Sequence, residues 1–192
     1  MHIVGILLAA GRGVRFDAAG LQDKLMQVLP GGERVASASA RHLLAVLPEV
    51  LAVVRPGADA LADSLRSAGC QLEVCHQADQ GMGASLVCGL SRVQQADGWI
   101  IALADMPYLR ESTVMAILQA LQHGADIVQP VFQGRPGNPV GFGRRHLAQL
   151  LELGGDQGAR ALLKTHAVTR LEVQDAGILQ DIDTPADLTP AQ

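Results

Sequence analysis

A chain of 192 residues is long enough to bury a core without disulfides or structural metal. Its formal net charge of −4 argues against a nucleic-acid binder, whose affinity comes from many Lys and Arg contacts to phosphates. Hydrophobic residues make up 48% and aromatics only 3%, so the core must be built from Ala, Val, Leu and Ile, which favours helices packed on a buried sheet. Cys70, Cys75 and Cys88 lack the CxxC spacing of a zinc or redox site and read as reduced packing residues, which fits a cytoplasmic setting. No run has the length of a bilayer span, and the opening apolar run has no basic stretch before it, unlike a signal peptide.

In chain order, Ile3 to Leu8 is a continuous apolar run ending in a glycine loop, as expected of a strand buried on both faces. The Ala and Leu pattern predicts a helix over Arg34 to Leu47, stopped by Pro48, and a short strand over Val50 to Val54. A second helix is predicted over Pro56 to Ala68, closed by Gly69, and a strand over Gln71 to Cys75. The segment Gly81 to Ser85 (GMGAS) opens a helix running to about Gln95, Trp99 to Leu103 is a further buried strand, and Glu111 to Gln122 a further helix. Strands at Ile127 to Val131 and Val140 to Phe142 flank a loop rich in Gly, Pro and Arg. Helical stretches are expected at Arg145 to Leu153 and Gln157 to Lys164, with late strands at Thr169 to Val173 and Ile178 to Leu179. Thr184 can cap a short terminal helix with Pro185 at its first position. Such alternation implies a single α/β domain over residues 1–192, with three layers and a mostly parallel central sheet.

Two places in this pattern carry chemistry. Leu8, Ala9, Ala10, Gly11, Arg12 and Gly13 stand where a central strand gives way to a loop, the rim at which open α/β sheets bind ligands. Glycines there let backbone N–H groups close around phosphate oxygens, with Arg12, Arg15 and Lys24 as nearby cations; the alternative is a plain tight turn. The dinucleotide fingerprint fails, because Phe16 replaces its third glycine and Arg55, not a ribose-binding acid, follows Val54. The Walker loop fails because Lys24 stands between Asp23 and Leu25. Asp105 follows the run Trp99 to Ala104 and is predicted on the same rim, where it would hold a metal ion against phosphates unless it serves only as a turn or capping residue. His76, His123, His146 and His166 share no metal-ligand spacing and read as surface or capping residues. Asp156 reads as a cap for the helix beginning at Gln157.

The loop LAAGRG with Arg15 and Lys24, the segment LADMP from Leu103 to Pro107, GMGAS, the loop GRPGNP and the ending DIDTP occur in this order. Together they resemble the molybdenum cofactor cytidylyltransferases, within the wider MobA-like nucleotidyltransferase family. The resemblance spans Ile3 to Leu188. It implies transfer of CMP from CTP to the phosphate of molybdopterin, with Mg²⁺ as cofactor and a molybdoenzyme of the xanthine dehydrogenase type as one candidate receiver, and no nucleic-acid or membrane partner. Leu8 to Gly13 would then bind the nucleotide, with Gly81 and Ser85 beside the base and ribose. Arg15 and Lys24 would contact phosphates, and Asp105 would bind the metal with Asp181 or Asp183. Gly137, Asn138 and Pro139 would face the acceptor, as would Arg160 in place of a surface role. The chain departs from the family at Asp17, where glycine is usual, in the longer spacer before Lys24, and at Asn138, where His often stands. Relatives that use GTP tend to carry a second glycine at the place of Ala10, which favours CTP. A guanylyltransferase, a sugar- or isoprenoid-phosphate cytidylyltransferase and a non-catalytic pterin or nucleotide carrier remain as rival readings.

Overall fold

The computed structural model describes residues 1–13, 15–17, 22–155 and 158–189. Asp156 and Gln157, and with them the expected cap, lie outside these residues. The strands are β1 (Ile3–Ala9), β2 (Val50–Val54), β3 (Gln71–Val74), β4 (Gly98–Leu103), β5 (Ile127–Phe132), β6 (Arg135–Pro136), β7 (Val140–Gly143) and β8 (Thr169–Glu172). They form one eight-stranded sheet in the order β3-β2-β1-β4-β7-β5-β6, with β8 also paired to β5. The half that contains β1 is parallel throughout, β1 lying between β2 and β4. β7 is inserted antiparallel between β4 and β5, so the other half is mixed.

The helices are α1 (Val35–Leu44), α2 (Asp59–Ala68), α3 (Met82–Arg92), α4 (Glu111–Gln122), α5 (Leu147–Leu151) and α6 (Arg160–Thr165). Side chains alternate across each buried strand with the period of the pleat. Ile3 and Leu7 of β1, with Ile100 and Ala102 of β4, face a core built with Leu43 of α1, Leu65 of α2 and Ile117 of α4. Val4 and Ile6, with Trp99 and Ile101, face the opposite core against Leu86 of α3, Leu150 of α5 and Leu162 of α6. Both faces are therefore covered, and β1, β2 and β4 read as continuous apolar runs for that reason. No helix among the described residues is long and apolar enough to cross a membrane.

Several expected boundaries move for identifiable reasons. α2 starts at Asp59 rather than Pro56, because Gly57 has φ of +77°, outside helical backbone geometry. The stretch expected as one helix from Arg145 divides into a 3₁₀ turn at Arg144–His146 and the short α5. Ile178 and Leu179 are not a strand but part of a 3₁₀ turn, Ala176–Leu179. Their apolar character reflects burial, since Ile178 packs fully into the core shared by α1, α2 and α4.

That turn is anchored by Asp175, which is 1% exposed. Its carboxylate accepts from Gly177 N at 2.9 Å, and from Arg110 N at 2.9 Å and Thr113 Oγ1 at 2.6 Å at the start of α4. Asp175→Ala leaves these donors without their acceptor and is expected to cost about 3 kcal/mol, checked by denaturant unfolding.

Candidate functional site

β1 and β4 run parallel and side by side, so the loops after them emerge at one rim of the sheet. After β1 the chain passes through Gly11 and Gly13; Gly13 has φ of +62°, and a Cβ there would meet Lys24 Cγ at 3.3 Å. After β4 it turns at Ala104 and Asp105, where Ser39 of α1 donates to the Ala104 carbonyl at 2.9 Å. Lys24 comes from a 3₁₀ turn, Lys24–Met26, whose first residues are fixed by Asp23 Oδ1 accepting from Leu25 N at 3.0 Å.

These elements enclose a pocket of about 480 Å³. Its lining takes in Leu8, Ala10, Gly11, Arg12, Gly13, Arg15, Lys24, Gly81, Ser85, Asp105 and Asp183, all of them expected from the sequence. Ala9 is the last residue of β1 and is buried. The far wall is the start of α3, whose N-cap Gly81 has φ of +113° and contributes no side-chain cap. The first-turn N–H groups of α3 thus remain donors at a helix N-terminus, an arrangement suited to anions. Behind this turn Gly83 packs against the 154–155 segment so closely that a Cβ would meet Gly155 O at 2.9 Å.

Charge is concentrated on the opposite wall. Lys24 Nζ lies 2.6 Å from Asp105 Oδ2 and 3.5 Å from Asp183 Oδ1, and the Lys24 side chain is only 12% exposed. Arg15 reaches Asp183 Oδ2 at 2.5 Å from a solvent-facing position. Asp105, Asp181 and Asp183 each present a carboxylate oxygen within 4.8 Å of the others. Partial burial raises the Asp181 carboxyl from its ordinary value, with the negative charges of Asp183 and Asp105 adding in the same direction. Asp105 Oδ1 is buried and has no hydrogen-bond partner among the described residues. An all-oxygen set with an orphaned carboxylate oxygen fits a hard divalent cation.

Of the alternative roles for Asp105, the turn after β4 does contain it, whereas the cap of α4 falls to another residue: the backbone N–H of Arg110, at the start of α4, goes to Asp175. The expected acceptor residues stand apart from the pocket lining. Gly137 and Asn138 donate their backbone N–H groups to Pro130 and Ile178 carbonyls, and Asn138–Pro139 is a cis peptide. Arg160 opens α6 and is exposed. His146 differs from its expected surface or capping role: it is 5% exposed and packs edge-on against His166 with ring centroids 5.0 Å apart.

Two further acids were not singled out in the sequence. Asp79 accepts from Arg12 across the pocket mouth, with Nε at 2.9 Å and Nη2 at 2.6 Å. Asp23 receives Arg55 Nη2 at 3.3 Å. Asp79 stands two residues before GMGAS and Asp23 next to Lys24, so adjacency to a motif was the available signal.

Residues 5–171 match the family model of the MobA-like NTP transferase domain. The chain is 32% identical over 200 residues to the purine catabolism protein PucB of Bacillus subtilis (strain 168), covering 97% of this chain and 94% of that one. It is 28% identical over 193 residues to the nicotine blue oxidoreductase of Paenarthrobacter nicotinovorans, covering 95% and 92%. Among solved structures, Rv0371c from Mycobacterium tuberculosis H37Rv superposes with a TM-score of 0.84 at 26% identity, covering 97% of this chain and 95% of that chain. Its complex with manganese matches with a TM-score of 0.77 at 25% identity, covering 97% and 96%. The chain belongs to the MobA-like NTP transferase family, and it is a nucleotidyltransferase of that family.

Proposed function

We propose that the protein transfers CMP from CTP to the terminal phosphate of molybdopterin, giving the cytosine dinucleotide form and pyrophosphate. The observation that carries this reading is the convergence of the glycine loop, Lys24, Arg15, Asp105 and Asp183 on one pocket, with Asp181 beside the two carboxylates. The acceptor phosphate is largely ionised near neutral pH, its second pKa being about 6. It can attack the α-phosphorus of CTP without a protein base, forming the new P–O bond as the bond to the β-phosphate oxygen breaks and pyrophosphate leaves. What the chain must supply is alignment of two anions and compensation of their charge. Backbone N–H groups of Gly11 to Gly13 and of the start of α3 cradle the triphosphate, and Lys24 and Arg15 offset charge on the transferred and departing phosphates. Asp105, with Asp181 or Asp183, would hold Mg²⁺, which when bound screens phosphate charge as a Lewis acid.

Ala10 lines the pocket with its methyl group, which supports the smaller pyrimidine base. Pyrophosphate release is expected only when Mg²⁺, CTP and molybdopterin are all present, and to stop on chelation. GTP turned over in preference to CTP would replace the cytidylyl reading with a guanylyl one. Turnover of a sugar or isoprenoid phosphate in place of molybdopterin would reassign the acceptor. Binding without pyrophosphate release would make the protein a carrier, delivering to a receiver such as a molybdoenzyme of the xanthine dehydrogenase type.

A further inference from the structure

Arg55 follows directly on β2 and does not line the pocket, yet its guanidinium holds two parts of it together. Nη1 donates to the Gly11 carbonyl at 2.6 Å. Nη2 lies 3.3 Å from Asp23 Oδ2. The other oxygen of Asp23 caps the turn that bears Lys24, and its carbonyl accepts from Gln27 Nε2 at 3.1 Å. One planar fork therefore spans from the glycine loop to the lysine turn, with both charged partners less than a third exposed. This partial burial makes the pair less subject to solvent screening than a surface bridge.

The Gly11 contact has a directional consequence. A peptide unit is planar and trans, so its carbonyl and the following N–H point in opposite directions. Holding the Gly11 oxygen on Arg55, which lies outside the pocket, aims the Arg12 N–H the other way. It also keeps a partial negative charge from turning toward phosphate oxygens. A lysine at position 55 would preserve the charge but not the fork, because a single ammonium lacks the fixed pair of donors.

We propose that Arg55 is a positioning residue that registers the glycine loop against Lys24 and thereby sets affinity for the β- and γ-phosphates of the nucleotide. This rests on the nucleotidyl-transfer reading. Full-length Arg55→Gln, Arg55→Lys, Asp23→Asn and Arg55→Gln/Asp23→Asn proteins are compared with the native chain by calorimetric titration with CTP and CMP, with GTP and GMP in a parallel arm, and by thermal unfolding. The expected result is about a tenfold weaker triphosphate affinity in both Arg55 variants, equivalent to loss of about one charge-assisted hydrogen bond. Monophosphate affinity should change less than about twofold, and the double variant should bind no worse than Arg55→Gln. Native triphosphate affinity in Arg55→Lys would overturn the proposal, as would equal loss of triphosphate and monophosphate binding in step with a lowered unfolding temperature. Native protein that binds neither triphosphate overturns the nucleotidyl-transfer reading and this proposal with it; tight native binding that Arg55→Gln leaves unchanged overturns this proposal alone.

Discussion

Asp105→Asn is expected to reduce pyrophosphate release by about a thousandfold while leaving the chain folded. The substitution keeps the side-chain volume and removes one negative charge from the three carboxylates that lie within 4.8 Å of one another. Lys24 keeps an oxygen at the place of Asp105 Oδ2 and retains Asp183 at 3.5 Å, so no buried ammonium is abandoned. Asp105 Oδ1 makes no hydrogen bond among the described residues, so no such bond is lost with it. Lower repulsion between position 105 and its acidic neighbours offsets the weaker Lys24 contact and the amide nitrogen left at the buried Oδ1 place, so the unfolding temperature should change little even as activity collapses. That contrast separates a functional carboxylate from a structural one. A coupled pyrophosphate assay, thermal unfolding and Mn²⁺ titration on the same preparation check it, and turnover near the native rate would remove Asp105 from the metal assignment.

The parts of this site that were legible in the sequence are those written into strand ends. Buried parallel strands leave uninterrupted apolar runs, and the polar or glycine residue that ends such a run is at the rim. Asp105 after β4 and the glycines after β1 were accessible in that way, and Glu111–Gln122 was predicted with both ends in place. The antiparallel insertion of β7 between β4 and β5 was not, because periodicity reports which face of a strand is buried and not which strand lies beside it. Nor were the pairs that tune the pocket. Lys24 and Asp105 are 81 positions apart and Arg12 and Asp79 are 67 apart, and a contact between two charges leaves no repeating trace along the chain. Arg55 was visible only as a failure of the dinucleotide pattern; its contacts with Gly11 and Asp23 depend on the loop and turn folding toward the end of β2. Ile178 and Leu179, within the 3₁₀ turn Ala176–Leu179, carry the pattern of a strand because an apolar pair has too few residues to separate pairing from burial.

That turn bears the second large prediction, Gly177→Ala. The segment from Asp175 to Asp183 lies along the end of β4: Ile182 N donates to the Asp105 carbonyl at 2.8 Å, and Asp175 ties the segment to the start of α4. At Gly177 the backbone passes so close to the 108–109 peptide that a Cβ would collide with the Tyr108 carbonyl and come within 2.8 Å of Leu109 N. Both obstacles are backbone, so no rotamer change relieves them, and the segment itself must move. The expected cost is about 3 kcal/mol, which for a chain of this size is a fall of roughly 10 °C in unfolding temperature. Displacement should also separate Asp181 and Asp183 from Asp105, weakening Mn²⁺ binding well below the unfolding temperature. Asp175→Ala provides the comparison, since it weakens the anchor without forcing a collision. If Gly177→Ala loses stability but binds Mn²⁺ as the native protein does, the register of this segment does not govern the metal site. If both properties fall together, and Asp175→Ala loses stability with less effect on the ion, then close backbone packing at a glycine outside the pocket lining sets the spacing of the three carboxylates.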